Sequence, residues 1–256
     1  MKHILLMLLL ITVVSGCGAS GQKKSETVEL TVSAAASMQD VLNDIKESYE
    51  KEHSNIKVVF NFGSSGALQQ QIEQGAPVDV FLSASVDKFD LLVDKGLIDQ
   101  KTKRNLVGNQ IVLVVPKNSQ KEIQTFDDLL TKADSISIGI PESVPAGKYA
   151  KEALENSNLW DRIEDKLIFA KDVRQVLTYV ETGNVDAGIV YLSDAMQSEK
   201  VKSVVAAVPV SHSAIIYPVG IITSTNKYKE AMRFHEYLQS EAVLKKFEEY
   251  GFIEVE

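Results

Sequence analysis

Short apolar runs recur along the chain, and amphipathic segments separate them. The runs predict strands over residues 28–32, 56–62, 78–82, 111–115, 136–140, 167–170, 187–191, 204–208 and 215–223. They are rich in Val, Ile and Phe, as buried strands are. Helices are predicted where apolar residues return at helical spacing. Met38, Val41, Leu42, Ile45 and Tyr49 make one such face. Others cover 67–73, 86–95, 126–132, 148–155, 173–182 and 227–250, the last with a break near Ser240. Alternation of the two element types predicts an α/β fold with mostly parallel sheets. Nine strands fit two sheets more easily than one. The expected split falls near 107–110 and again near 217–220. Residues 28–108 plus 219–256 would form lobe I, and 109–218 lobe II. Two chain crossings then make a hinge over a central cleft.

The N-terminus changes this picture. Lys2 precedes an apolar run over 4–14, broken only by Thr12. That run is too short for a bilayer, which needs about 20 residues. A positive start, a short apolar stretch and then small residues read as a secretory signal over 1–16. Val14-Ser15-Gly16-Cys17 resembles a bacterial lipobox, whose cysteine becomes the lipidated first residue. Residues 17–27 are small and polar, a tether. The expectation is an exported protein, lipid-anchored through Cys17 to the outer face of the bacterial cytoplasmic membrane.

Composition narrows the chemistry. The 256 residues carry 27 Lys+Arg against 35 Asp+Glu, a net charge of −8. Such a chain is a poor nucleic-acid binder, because phosphate neutralisation needs a basic surface. With one cysteine there is no intrachain disulfide and no site built on cysteine pairs. The four histidines show no close zinc-ligand spacing.

Four strand-to-helix turns remain as candidates. They are Ala34-Ala35-Ala36-Ser37, Gly63-Ser64-Ser65-Gly66, Pro145-Ala146-Gly147 and Lys171-Asp172-Val173. Ser37 is placed as an N-cap, with Asp40 three positions on. Pro145 suits the first helical position. Ligands of open α/β sheets bind beyond the carboxyl ends of strands, where free amides and helix dipoles favour anions. Each motif alone is equally a cap or a plain loop. Tyr191, at the end of strand 187–191, is by default a core or rim aromatic.

Together these segments resemble the molybdate-binding proteins of ABC importers. The resemblance rests on the four turns and on further stretches in the same order. These are Gly75-Ala76-Pro77-Val78-Asp79-Val80-Phe81, Val144 to Ala150, Asp172-Val173-Arg174, Gly188 to Ala195, and Tyr250-Gly251-Phe252. It implies a two-lobed periplasmic binding protein of the second type. Carried over position by position, it implies an oxyanion held by the hydroxyls of Ser37, Ser65 and Tyr191 and the backbone N–H groups of Ala146 and Val173. Molybdate, or tungstate, is the implied ligand, with no cofactor. The implied partners are the importer's permease subunits, and the protein is expected to be a monomer. Gly66 departs from the pattern, where related sequences often carry Ser or Thr.

Molybdate at neutral pH is a tetrahedral dianion without a proton, so it only accepts hydrogen bonds. Hydrogen phosphate carries a proton that needs an acceptor, which this set lacks. Arg174 and Lys148 adjoin the motifs and are expected to face solvent or a neighbouring carboxylate. Two other readings stay open. One is a same-fold receptor for sulfate, thiosulfate or another small anion. The other is a hydrolase using Ser65, or a carboxylate pair of Asp79 and Asp194. Against an enzyme, no histidine falls in a neighbouring motif, and Gly-Ser-Ser-Gly is not the Gly-x-Ser-x-Gly elbow.

Overall fold

The structure is a computed structural model that describes residues 27–255. The signal sequence, Cys17 and the tether up to residue 26 lie outside the described residues.

The strands are β1 (Val28–Ala35), β2 (Ile56–Gly63), β3 (Val80–Leu82), β4 (Arg104–Gly108), β5 (Ile111–Pro116), β6 (Ile136–Gly139), β7 (Leu167–Ala170), β8 (Ala187–Tyr191), β9 (Val201–Ala206) and β10 (Ile216–Ile221). The helices are α1 (Gln39–Glu52), α2 (Ser65–Glu73), α3 (Val86–Asp94), α4 (Leu129–Lys132), α5 (Pro145–Asn156), α6 (Trp160–Ile163), α7 (Val173–Glu181), α8 (Leu192–Met196), α9 (Tyr228–Leu238) and α10 (Glu241–Glu249). A 3-10 turn, Ala36–Met38, joins β1 to α1.

Two five-stranded sheets form, ordered β2-β1-β3-β10-β4 and β7-β6-β8-β5-β9. The chain leaves the first sheet after Gly108 and returns at Ile216. Each sheet with its helices makes one lobe. The sheets are mixed where mostly parallel ones were expected. In the first, β1 pairs in parallel with β2 and β3, while β10 runs antiparallel to β3 and β4. In the second, β6 pairs in parallel with β7 and β8, while β5 runs antiparallel to β8 and β9. The strands next to the crossings cause this. Each enters its sheet from the other lobe, so no helical crossover sets its direction.

Three elements escaped the apolar pattern. β4 holds two buried apolar residues, Leu106 and Val107, at a sheet edge, and α6 and α8 are single turns. The break near Ser240 separates α9 from α10. In the first lobe, Leu68, Ile72, Phe81, Phe89 and Leu92 form a small core of their own, with Phe81 and Phe89 stacked at 5.8 Å. The main core gathers Leu30, Val32, Leu42, Ile45 and Phe234 on the same lobe and continues through β5, β6 and β8. The carboxyl ends of β1, β2, β7 and β8 lead into the cleft between the lobes.

Candidate functional site

The first wall of the cleft comes from the end of β1. Its last residues are small and buried, and the chain turns there into the 3-10 turn. Ser37 was expected to cap the following helix, and it does not. The turn starts one residue earlier, so Ser37 lies inside it. Neither Ala35 nor Met38, the two cap positions, makes a side-chain cap. The Ser37 hydroxyl is thereby left for tertiary contacts, and its Oγ lies 2.9 Å from Tyr217 Oη.

The two serines of Gly-Ser-Ser-Gly divide their work. Ser64 caps α2, its Oγ accepting from Ala67 N at 3.4 Å. Ser65 is the first helical residue and is buried. Its Oγ accepts from Ala84 N–H at 2.8 Å. The Ala84 carbonyl in turn accepts from Tyr149 Oη of the other lobe at 3.4 Å.

The opposite wall is α5 and α7. Pro145 opens α5, as its fixed φ suits. Gly147 is needed for packing: a Cβ there would stand 2.0 Å from the Gly139 carbonyl oxygen. That close approach seats the first turn of α5 against β6, with Ala146 fully buried. Asp172 caps α7 by accepting from Gln175 N at 2.8 Å, which leaves Val173 in the first turn. First-turn amides have no intrahelical acceptor, so those of Ser65, Ala146 and Val173 are available to a ligand. Tyr191 ends β8, 1% exposed, and its hydroxyl has no hydrogen-bond partner among the described residues. Burial pushes its phenol pKa well above the ordinary value, with the nearby Tyr217 phenol adding to the effect.

All five residues singled out in the sequence line one small, nearly filled cavity between the lobes. Asp172 is the one charged residue in its lining, and that carboxylate is committed to its cap. The neighbouring cations turn away. Arg174 Nη1 lies 2.7 Å from Asp40 Oδ2, on α1 of the other lobe. Lys148 pairs with Asp87 of α3, also across the cleft. A backbone hydrogen bond from Gly66 N to Ser143 O, at 3.0 Å, closes the lobes on each other. A Cβ at Gly66 would lie 2.6 Å from that oxygen, so the departure at this position admits the close approach. Larger concavities exist, notably between β4 and α10, but mixed charges line that one, Glu241, Lys245, Glu248 and Glu254 among them.

The Asp79–Asp194 pair does not assemble. Asp79 is held by Thr31 N, Thr225 Oγ1 and Lys227 Nζ at the base of the first sheet. Asp194 lies in α8, buried, and neither carboxylate oxygen has a hydrogen-bond partner among the described residues. Burial raises its pKa to about 7, against the pull of the Arg174 guanidinium 3.7 Å away. Three residues around the cavity had no signal in the sequence: Asn109, Tyr217 and Ala84. Their contacts join segments far apart in the chain.

The sequence profile of the bacterial extracellular solute-binding protein family matches residues 30–253. The chain belongs to that family. This solute-binding protein is therefore a receptor component of transport and not an enzyme. It is 53% identical over 241 residues to the lipoprotein YvgL of Bacillus subtilis, named for substrate binding in an ABC transporter, covering 93% of this chain and 92% of that one. It is 40% identical over 230 residues to the molybdate-binding protein ModA of Haemophilus influenzae, covering 88% and 90%. Among solved structures it matches a substrate-binding domain from Clostridium difficile attributed to a molybdenum ABC transporter. That match has a TM-score of 0.70 and 45% identity, covering 90% of this chain and all of the other.

Proposed function

We propose that this solute-binding protein captures molybdate between its lobes and delivers it to the permease of an ABC importer. Residues 28–108 with 219–256 act as one lobe and 109–218 as the other. The observation that carries the reading is the donor set around the cavity. Ser37, Ser65 and Tyr191 supply hydroxyls, Ala146 and Val173 supply backbone N–H groups, and the adjacent cations are paired elsewhere. A dianion that only accepts hydrogen bonds suits a wall that only donates.

The magnitudes are adequate. Hydrogen bonds to a charged group are worth about 1.5–3 kcal/mol each. These five groups with the amides of Ser37 and Ser65 make roughly seven, which, less the cost of immobilising ligand and lobes, give sub-micromolar binding. Hydrogen phosphate leaves its proton without an acceptor and is disfavoured. Sulfate has shorter bonds and fills the cage less well, while tungstate is nearly molybdate's size and binds alongside it. The protein works as a monomer, held at the outer membrane face through lipid on Cys17.

Titration of the purified protein with molybdate, tungstate, sulfate and phosphate tests the reading. Tight binding of the first two with weak binding of the others is expected. A preference for sulfate or phosphate would overturn it.

A further inference from the structure

Both serine hydroxyls in the cavity wall can be assigned a direction. Ser65 Oγ accepts from the Ala84 amide, a group that only donates, so the serine's single proton is free to point elsewhere. For Ser37 the contact with Tyr217 Oη is symmetric in itself, since either hydroxyl can donate. Its direction is set two groups away. Asn109 Oδ1 accepts from Gln110 N at 2.8 Å, which fixes the orientation of the side-chain amide. Asn109 Nδ2 then faces Ser193 Oγ at 2.9 Å and Tyr217 Oη at 3.3 Å. An amide nitrogen donates and never accepts. Tyr217 Oη therefore receives the Asn109 proton, and because it is fully buried with Ser37 Oγ its one acceptor among the described residues, it gives its own proton to Ser37 Oγ. The Ser37 proton is left for the cavity.

We propose that Asn109 and Tyr217 are specificity-determining positioning residues, which direct the Ser37 proton into the cavity and so favour proton-free oxyanions over protonated ones. The proposal rests on the reading of the cavity as an oxyanion site. Tyr217 is fully buried on β10, and Asn109 is buried where the chain first crosses between lobes. Neither lines the cavity, so neither touches the ligand. Their effect passes through Ser37. Without the Tyr217 hydroxyl nothing fixes the Ser37 rotor, and its oxygen can turn toward the cavity to accept the proton of hydrogen phosphate.

A double-mutant cycle of Tyr217→Phe and Ser37→Ala tests this, read by calorimetric titration with molybdate and by competition with inorganic phosphate. Thermal melts establish that each variant is folded, and Asn109→Ala serves as a second route to the same perturbation. In Tyr217→Phe the preference for molybdate over phosphate should fall about tenfold or more, the scale of one hydrogen bond to a charge. Asn109→Ala should move the preference in the same direction and by less. In the Ser37→Ala background, Tyr217→Phe should leave the preference unchanged, which a merely structural role would not produce. A folded Tyr217→Phe protein with the wild-type preference overturns the proposal, as does an equal shift in both backgrounds. Failure of the wild-type protein to bind molybdate would instead overturn the functional reading, and this proposal with it.

Discussion

Gly66→Ala should weaken molybdate while leaving the unliganded protein at least as stable. Gly66 sits in the first turn of α2, and its amide bonds Ser143 O across the cleft at 3.0 Å. An added Cβ would lie 2.6 Å from that oxygen and 2.8 Å from Ser143 Cα, where ordinary contact begins at 3.4 Å. Both neighbours are backbone, so no side-chain rotation relieves the overlap. The lobes must part by roughly 0.6–0.8 Å at this point. The cross-cleft hydrogen bond then stretches beyond bonding distance, a loss of about 1 kcal/mol. Donors on the two walls also separate, and each charge-assisted bond weakens with distance. A fall of about tenfold or more in molybdate affinity follows, since about 1.4 kcal/mol is a factor of ten. Helix propensity pulls the other way in the open form, where alanine is better than glycine by about 0.5–1 kcal/mol. Calorimetric titration and melting of the ligand-free protein thus move in opposite senses. Unchanged or tighter binding by a folded Gly66→Ala protein would refute closure at the Gly66–Ser143 contact.

Ser65→Ala should cost about 1.5–3 kcal/mol of molybdate binding, whereas Ser64→Ala should cost about 1 kcal/mol of stability and little affinity. Titration and melting of the two variants separate the ligand donor from the helix cap, and equal effects would contradict the division. Asp194, raised by burial to about 7, makes the folded protein bind a proton that the unfolded chain releases at a lower pH. Its favourable contribution is full below the ordinary carboxylate value and is lost as pH climbs from about 4 to about 7. Urea melts should show this decline in the wild type and a flatter profile in Asp194→Asn. Ionised Asp194 also opposes a bound dianion, so molybdate affinity should ease modestly over the upper part of that window, and not in the variant. Cys17→Ser should release the protein from membranes, read by fractionation, with molybdate affinity unchanged.

The residues that line the cavity were legible because they sit at chain-local signals. Pro145-Ala146-Gly147 marks a helix start, and Asp172 before Val173 marks another. Ser37 was legible as a residue and misread as a role. A serine with an acidic residue three positions on looks the same whether it caps a helix or lies inside a 3-10 turn that precedes one. The groups that orient the donors were not legible at all. Ser37 and Tyr217 lie 180 residues apart, and Asn109 and Tyr217 lie 108 apart. No periodicity links such positions. Asp194 shows the same limit: its charge is evident in the sequence, but its burial without a hydrogen-bond partner, with only the Arg174 guanidinium 3.7 Å away, arises from tertiary packing. β4 was hidden for a different reason, since an edge strand with polar ends carries too little apolar signal.

The central claim is that an uncharged donor cage selects a proton-free tetrahedral dianion. Calorimetric titration of the wild-type protein with molybdate and with phosphate, at equal pH and about 0.15 M salt to screen surface charge, addresses it most directly. The account predicts one molybdate per chain, bound with sub-micromolar affinity, and phosphate too weak to compete at equal concentration. Phosphate binding as tight as molybdate, or no heat with molybdate at all, would contradict it.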